Sequence, residues 1–204
     1  MTTADATDRP SSTPRRADAE RSITAILDAA LVCFGRTPDA TMTEIARTAG
    51  VGRVTLYGHF NSREAVLDAT LERTLAEIAA ALDAADPETG PAAEALVRFL
   101  HAPRLLDRFR GLYAAAVRHL GAEHVRHRHE PVFQRLDQLI TRGQREGAFR
   151  SDLPSTWLAT TLYALVHAAI TEAEEGRLPA DEAVDTLTAT VLGLLAPYPR
   201  KPQV

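Results

Sequence analysis

Three groups of residues have side chains that could do chemistry. His124, His127 and His129 stand close together, and the first two are three apart, a spacing that would share one helix face as metal ligands do. Arg126, Arg128 and Glu130 crowd that run, and neither a cysteine nor a well-placed carboxylate completes a coordination set. The run therefore reads as a solvated helix start and not as a metal site, while His119 and His167 stand alone as structural residues. Cys33 is the only cysteine, so it can form neither an internal disulfide nor a cysteine-based zinc site. Flanked by Leu31, Val32 and Phe34, it reads as a core thiol. No nucleophile elbow, phosphate-binding loop or paired carboxylates are found, which points away from an enzyme, a metal or a cofactor. The third group is cationic. Residues 1–63 carry eight arginines against seven acidic residues, a net of +1, and the remainder carries fifteen basic against twenty acidic residues, a net of −5. An acidic body with one basic end leaves contact with a polyanion to that end. Arg15 and Arg16 close a polar tail over residues 1–16, which reads either as an arm able to reach a DNA minor groove or as a plain solvated tail.

Stepping inward along the chain, the elements that must position these residues are helical. Hydrophobic residues make up 45% and aromatics only 5%, a balance that suits helices better than sheets. From Ala17 a 3.6-residue period sets Ile23, Ile26, Leu27, Ala30, Leu31 and Phe34 on one face, closed by Gly35. Thr41-Met42-Thr43-Glu44 is a capping box and opens a short helix to Ala49. Gly50-Val51-Gly52 makes a tight turn, Arg53 to Phe60 a third helix, and Asn61-Ser62-Arg63-Glu64 caps a long fourth helix with Val66, Leu67, Leu71, Leu75 and Ile78 inward. After the break at Asp86–Pro91 come helices at roughly 92–101, 104–119, 123–146, 154–175 and 180–196. No segment alternates with the two-residue period of a strand.

Residues 42–61 have the makings of a helix-turn-helix. Ala46 is small where the two helices face each other, Gly50 tolerates positive φ in the turn, and Ile45, Val51 and Leu56 are apolar where the pair must lock. The second helix of such a unit lies in the DNA major groove. The run Thr43-Glu44-Ile45-Ala46, then Ala49-Gly50-Val51-Gly52-Arg53-Val54-Thr55-Leu56-Tyr57-Gly58-His59-Phe60-Asn61-Ser62-Arg63-Glu64, resembles the signature of the TetR family of repressors, over about residues 20–67. That resemblance implies an all-α, nine-helix homodimer. It divides the chain into the tail, a DNA-binding domain over 17–63, and an effector-binding and dimerisation domain over 64–204. It implies that Thr43 caps near the DNA backbone, and that Arg53, Val54 and Thr55 face base edges, Arg53 by a bidentate contact to guanine. It implies further that Tyr57, His59 and Arg63 grip phosphate, the last aided by the helix N-terminus. Gly52, Val54 and Gly58 depart from the family's usual residues and leave the operator sequence open.

The body should sense a small molecule and pair two subunits. His101, Phe109, Tyr113, Trp157 and Thr161 are the candidates to line an effector cavity, with Trp157 and Tyr113 favoured because their polar tips need partners when buried. Leu158, Leu162 and Leu165 on one helix, and Leu187, Val191 and Leu194 on the next, form stripes suited to a four-helix dimer bundle. The competing reading gives both stripes to the subunit's own core. The partners expected are a double-stranded operator, a small-molecule effector and a second copy of the chain. No window has the apolar length of a membrane span, and the acidic, polar first ten residues lack a secretory core, so a cytoplasmic repressor is expected. A ligand-responsive activator or an architectural DNA-binding protein of the same fold is the alternative.

Overall fold

The computed structural model describes residues 13–85, 89–101 and 111–198, and among them ten α-helices and no strand. Helix α1 runs Thr13–Arg36, α2 Met42–Ala49, α3 Arg53–His59, α4 Arg63–Ala84, α5 Ala92–Leu100, α6 Leu112–Leu120, α7 Ala122–Arg128, α8 Glu130–Arg145, α9 Ser155–Glu174 and α10 Ala183–Leu195. Helix α1 begins four residues before Ala17, inside the stretch expected to be tail. Pro14 is tolerated in that first turn because its missing N–H has no intrahelical partner there, and Arg16 pairs with Glu20 one turn on at 3.2 Å. Residues 1–12 lie outside the described residues.

The expected nine helices become ten because the segment 123–146 breaks at His129. Pro131 cannot donate to the His127 carbonyl, and its ring would crowd that group, so a single continuous helix is disfavoured. The His129 carbonyl instead accepts from both Val132 and Phe133 N–H groups at 3.0 Å, and a new helix starts. Of the helix expected over 104–119, the described part is α6, and the last helix starts at Ala183, three residues later than its expected 180.

Two apolar cores result, and two helices belong to both. Ile26, Ala30 and Phe34 of α1, Ile45 and Ala46 of α2, and Leu56 of α3 close around Val66 and Leu67 of α4 and Leu112 and Ala115 of α6. From Leu71 onward α4 turns its apolar face into the body, where it meets α5, Ala116 of α6, α8, α9 and α10. The two threonines that α4 buries along this face donate to carbonyls one turn back, Thr70 to Val66 at 2.7 Å and Thr74 to Thr70 at 2.8 Å, so no buried hydroxyl is stranded. Helix α6 reaches α1 through a very close approach. Gly111 has φ 67°, and a Cβ there would collide with the Phe34 carbonyl and come within 2.9 Å of Gly35 Cα. Only glycine permits both the backbone and the contact.

Polar ties fasten the outer side of α4 to α7 and α8. Asp68 accepts from His124 at 2.8 Å and pairs with Arg128, and Asp83 accepts from Arg135 at 2.8 Å. Burial alone would raise the Asp68 carboxyl, but the hydrogen bonds from Arg128 and His124 override it and hold its pKa below the ordinary value.

Candidate nucleic-acid interface

The N-terminal end of the molecule is built by short-range rules. At the start of α2, Thr41 N–H donates to Glu44 Oε2 at 2.8 Å and Glu44 N–H donates to Thr41 Oγ1 at 3.3 Å, a reciprocal capping box. The Thr41 N–H, together with the Thr41 hydroxyl that donates to the same oxygen at 2.8 Å, holds the Glu44 carboxyl below its usual pKa. Gly50 closes α2 with φ 67° and ψ 24°, and the Val51 N–H reaches back to the Ala46 carbonyl at 3.1 Å. This Schellman-like stop turns the chain sharply into α3. Gly52 caps α3 without a side-chain hydrogen bond.

Helix α3 buries one side chain, Leu56, between α1 and α2. The rest of it faces outward. Val54 is 89% exposed and Tyr57 46% exposed, and Arg53, Thr55 and Gly58 are exposed as well. Arg53 lies with its guanidinium 6.0 Å from the Tyr57 ring centroid, so the two form one cation–π unit on the open face. Thr43 is exposed on α2, and His59 and Phe60 are half-buried at the end of α3. A seven-residue helix that rests on one leucine and exposes an apolar Val gains nothing for its own core from that face. Such a face is suited to a partner surface.

Arg63 opens α4 just after Ser62, whose Oγ accepts from Ala65 N–H at 3.1 Å. It is half-buried, and its Nη2 donates to His119 Nδ1 on α6 at 2.9 Å. A guanidinium only donates, so Nδ1 must be the acceptor and the ring proton sits on Nε2. That nitrogen then donates to Asp39 Oδ1 at 3.1 Å, in the loop between α1 and α2, and Arg118 approaches the other oxygen at 3.2 Å. The chain Arg63–His119–Asp39 thus joins the first residue of α4, the end of α6 and the loop ahead of α2. Sequence reasoning missed His119 and Asp39 as parts of this end, because nothing local marks residues 56 and 80 positions apart.

Four of the five residues expected to line an effector cavity lie among the described residues. Tyr113 is half-buried in a ring cluster with Phe133, Tyr163, His129 and His167, stacked on His167 at 3.9 Å between centroids. His101 sits at the surface end of α5 and binds Thr188 Oγ1 at 3.2 Å. Trp157 is 59% exposed on the outer side of α9, and Thr161 spends its hydroxyl on the Trp157 carbonyl at 2.9 Å. Phe109 lies outside the described residues. Among the described residues, Tyr113 lies in the ring cluster, His101 at the end of α5 against Thr188, and Trp157 on the outer side of α9. His129, expected in a solvated helix start with His124 and His127, is 2% exposed while the other two face water. Counted at 100° per residue, it falls on the opposite side of the helix from His127. Burial lowers the pKa of both His129 and His167, the latter to about 4 with help from His129, and keeps the imidazoles neutral in the interior. Burial likewise raises the Tyr163 phenol.

The two leucine-rich stripes also turn inward. Leu158, Leu162, Leu187 and Val191 are buried in the chain's own core and offer no surface, while Leu165 and Leu194 are only half-exposed. The outward faces are different residues, namely Trp157, Thr160, Ala164, Ala168 and Thr171 of α9, and Thr186, Ala189, Thr190 and Gly193 of α10.

Comparison with known proteins agrees with this geometry. Residues 26–70 match the model for bacterial regulatory proteins of the tetR family. The chain is 29% identical over 188 residues to the HTH-type transcriptional repressor LfrR of Mycolicibacterium smegmatis, across 89% of this chain and 94% of that one. The crystal structure of the TetR-like regulator LfrR in complex with proflavine superposes with a TM-score of 0.71 at 26% identity, covering 86% of this chain and 97% of the other. The regulator FadR of Bacillus subtilis, solved with stearoyl-CoA, shares the fold at a TM-score of 0.70 and 19% identity, over 85% and 97% of the two chains. With an open third helix behind a capped, glycine-stopped second, residues 26–70 carry the DNA-binding domain of the tetR family of bacterial regulatory proteins, and the described body shares the fold of TetR-like transcriptional regulators.

Proposed function

We propose that the chain is a cytoplasmic repressor that binds a palindromic operator as a homodimer and leaves it when a small molecule occupies the body. The observation that carries the DNA-binding half is α3, with one buried side chain and every other residue turned outward or to the rim. In this reading Arg53 and Thr55 read base edges, Val54 meets a thymine methyl, and Tyr57, His59, Thr43 and Arg63 hold phosphates. The small-molecule half draws support from two relatives of the same fold that were crystallised with ligands as unlike as proflavine and stearoyl-CoA.

The dimer rests on the outer faces of α9 and α10. From Ser155 to Thr171, α9 has no Asp, Glu, Lys or Arg, although one side of it faces outward. The threonines there turn their hydroxyls inward, Thr160 to the Thr156 carbonyl at 2.9 Å, Thr171 to His167 at 3.1 Å and, on α10, Thr190 to Thr186 at 2.7 Å. Their methyl groups remain outside, so a face that reads as polar in composition is apolar in presentation. Small residues allow two such hairpins to approach closely, and Trp157 adds one large anchor.

Binding-site selection from random duplexes tests the proposal. A repressor dimer should recover an inverted repeat with half-sites about 34 Å apart and prefer it roughly a thousandfold or more over bulk DNA. Sedimentation of an Ala164→Arg variant should show monomers, because an arginine would be desolvated in the paired face. An architectural protein would recover no consensus, and an activator would recover one placed upstream of the promoter elements it serves.

A further inference from the structure

Between α8 and the first half of α9 runs a groove of about 270 Å³, near the lower end of the roughly 300–1,000 Å³ usual for small-ligand sites. Its floor on α8 is Phe133, with Glu130 one turn before and Asp137 one turn after, and its α9 wall is Thr156, Ala159 and Thr160. Asp137 Oδ1 is buried and accepts a hydrogen bond from none of the described residues. A buried carboxylate oxygen without a donor is costly, so this one is kept at a loss to stability unless something supplies the donor. Glu130 adds a second carboxylate, which accepts from Gln134 at 3.2 Å, against the exposed Arg126 at the rim, which leaves the lining acidic. Phe133 offers a ring to the groove and packs behind it on Tyr163, 4.9 Å between centroids. Burial keeps the imidazoles of His129 and His167 further in neutral, so they put no positive charge behind the groove.

We propose that this groove binds a small planar organic cation, with Asp137 as its hydrogen-bonded counter-charge and Phe133 as the ring it stacks on. An anion would meet two carboxylates, and a neutral aliphatic ligand would leave Asp137 Oδ1 unpaired. A flat cation with an N–H donor satisfies the oxygen, uses the ring face and fits a narrow groove. The site deepens the effector reading above and rests on it for its regulatory meaning, though not for binding itself. Occupancy would press on Phe133 and, through the ring contacts of Tyr163 and His129 with Tyr113, on α6. Thr160 belongs both to the groove wall and to the face proposed for pairing, so the site lies at the edge of the dimer seam.

Proflavine is a suitable probe, with acridine, neutral at pH 8, as its uncharged counterpart. The titration must use protein without DNA, because such dyes intercalate into duplexes. Fluorescence titration should give saturable proflavine binding at one site per chain and much weaker acridine binding. Asp137→Asn should cost about tenfold or more in proflavine affinity and leave acridine nearly unchanged, while Thr160→Trp, which fills the groove, should abolish both. Circular dichroism melts and sedimentation establish that each variant is folded and in what assembly state. Equal proflavine affinity in wild type, Asp137→Asn and Thr160→Trp would overturn the assignment, as would acridine binding as tightly as proflavine. If binding behaves as expected but a non-intercalating cation fails to release the operator, the site stands and the effector reading falls.

Discussion

The imidazole of His167 gives the sharpest quantitative test of how this interior is built. It lies between α6 and α8, stacked on Tyr113 with 27° between planes and 6.1 Å from the His129 ring. Burial, with His129 adding to it, moves its pKa from 6.5 to about 4. Above pH 6.5 the group is neutral in both folded and unfolded chains and has no effect on stability. Below that value the unfolded chain takes a proton that the native protein refuses until about pH 4, so stability is lost through that window and the loss levels off beneath it. At about 1.36 kcal/mol per pH unit the full loss is about 3.4 kcal/mol, and about 2.5 kcal/mol of it is reached by pH 4.5. For a chain of this size that corresponds to a fall in Tm of about 5–10 °C between pH 7.5 and 4.5 beyond what the carboxylates cause. His167→Phe keeps a ring against Tyr113 and removes the titrating group. Calorimetric melts at fixed protein concentration, compared between wild type and variant, isolate its share. Parallel Tm–pH curves for the two proteins would refute the reasoning, because His129, the carboxylates and any pairing equilibrium remain in both.

Other substitutions probe the opposite end. Arg53→Ala should weaken the preferred operator by about 1–3 kcal/mol and relax base preference at one position of the selected site, whereas Arg63→Ala should weaken all sequences alike and reduce the slope of log K against log salt by about one. Leu56→Ala should cost about 2–5 kcal/mol by removing the one side chain that seats α3, and hydrogen exchange should show α3 losing protection first. Gly111→Ala forces a left-handed backbone and a collision with Phe34, and thermal melts should register a loss above about 1 kcal/mol that no neighbouring rotamer can relieve. Thr41→Ala should cost about 1 kcal/mol through the lost cap of α2.

What could be read from the chain beforehand follows the range over which each signal acts. The capping box at Thr41, the left-handed stop at Gly50, the small Ala46 at the helix contact and the apolar lock of Ile45, Val51 and Leu56 are all set within twenty residues, and the structure contains each of them, with Val51 half-buried against the others. The break ahead of Pro131 and the inward turn of His129 follow from the same local rules, which a reading of His124, His127 and His129 together as one solvated helix start passes over. The stripes of α9 and α10 were legible as stripes and not as directions. From Ser155 to Thr171 both sides of α9 lack charge, and periodicity cannot say whether the larger leucines or the threonines face the chain's own core. The threonines decide it by returning their hydroxyls to the preceding turn, a property visible only in coordinates. The Arg63–His119–Asp39 chain lay beyond reach for a different reason, since its members meet only after α6 has folded back against α1 and α4.

That fold-back also limits how the two ends of the molecule can communicate. A regulatory ligand typically supplies about 1–3 kcal/mol of coupling. The apolar interlock, in which Val66 and Leu67 of α4 and Leu112 and Ala115 of α6 are buried in the N-terminal core, represents several times that amount, since deleting even one buried leucine costs about 2–5 kcal/mol. A ligand in the body therefore cannot pull the cores apart. The polar ties are a different matter. Arg63–His119, His119–Asp39 and Asp68–Arg128 lie in partly exposed sites, where such pairs are worth about 1 kcal/mol or less each. Their sum is comparable to what a ligand provides, so they are the contacts that can change partners while α4 and α6 tilt as packed rods. On this reasoning His119→Phe, which deletes the acceptor for Arg63 and keeps the ring volume, should change operator affinity and its response to ligand severalfold with little change in Tm. A variant that instead melted far below the wild type would mean that the tie carries structural energy, and that the signal travels by some route other than the first turn of α4.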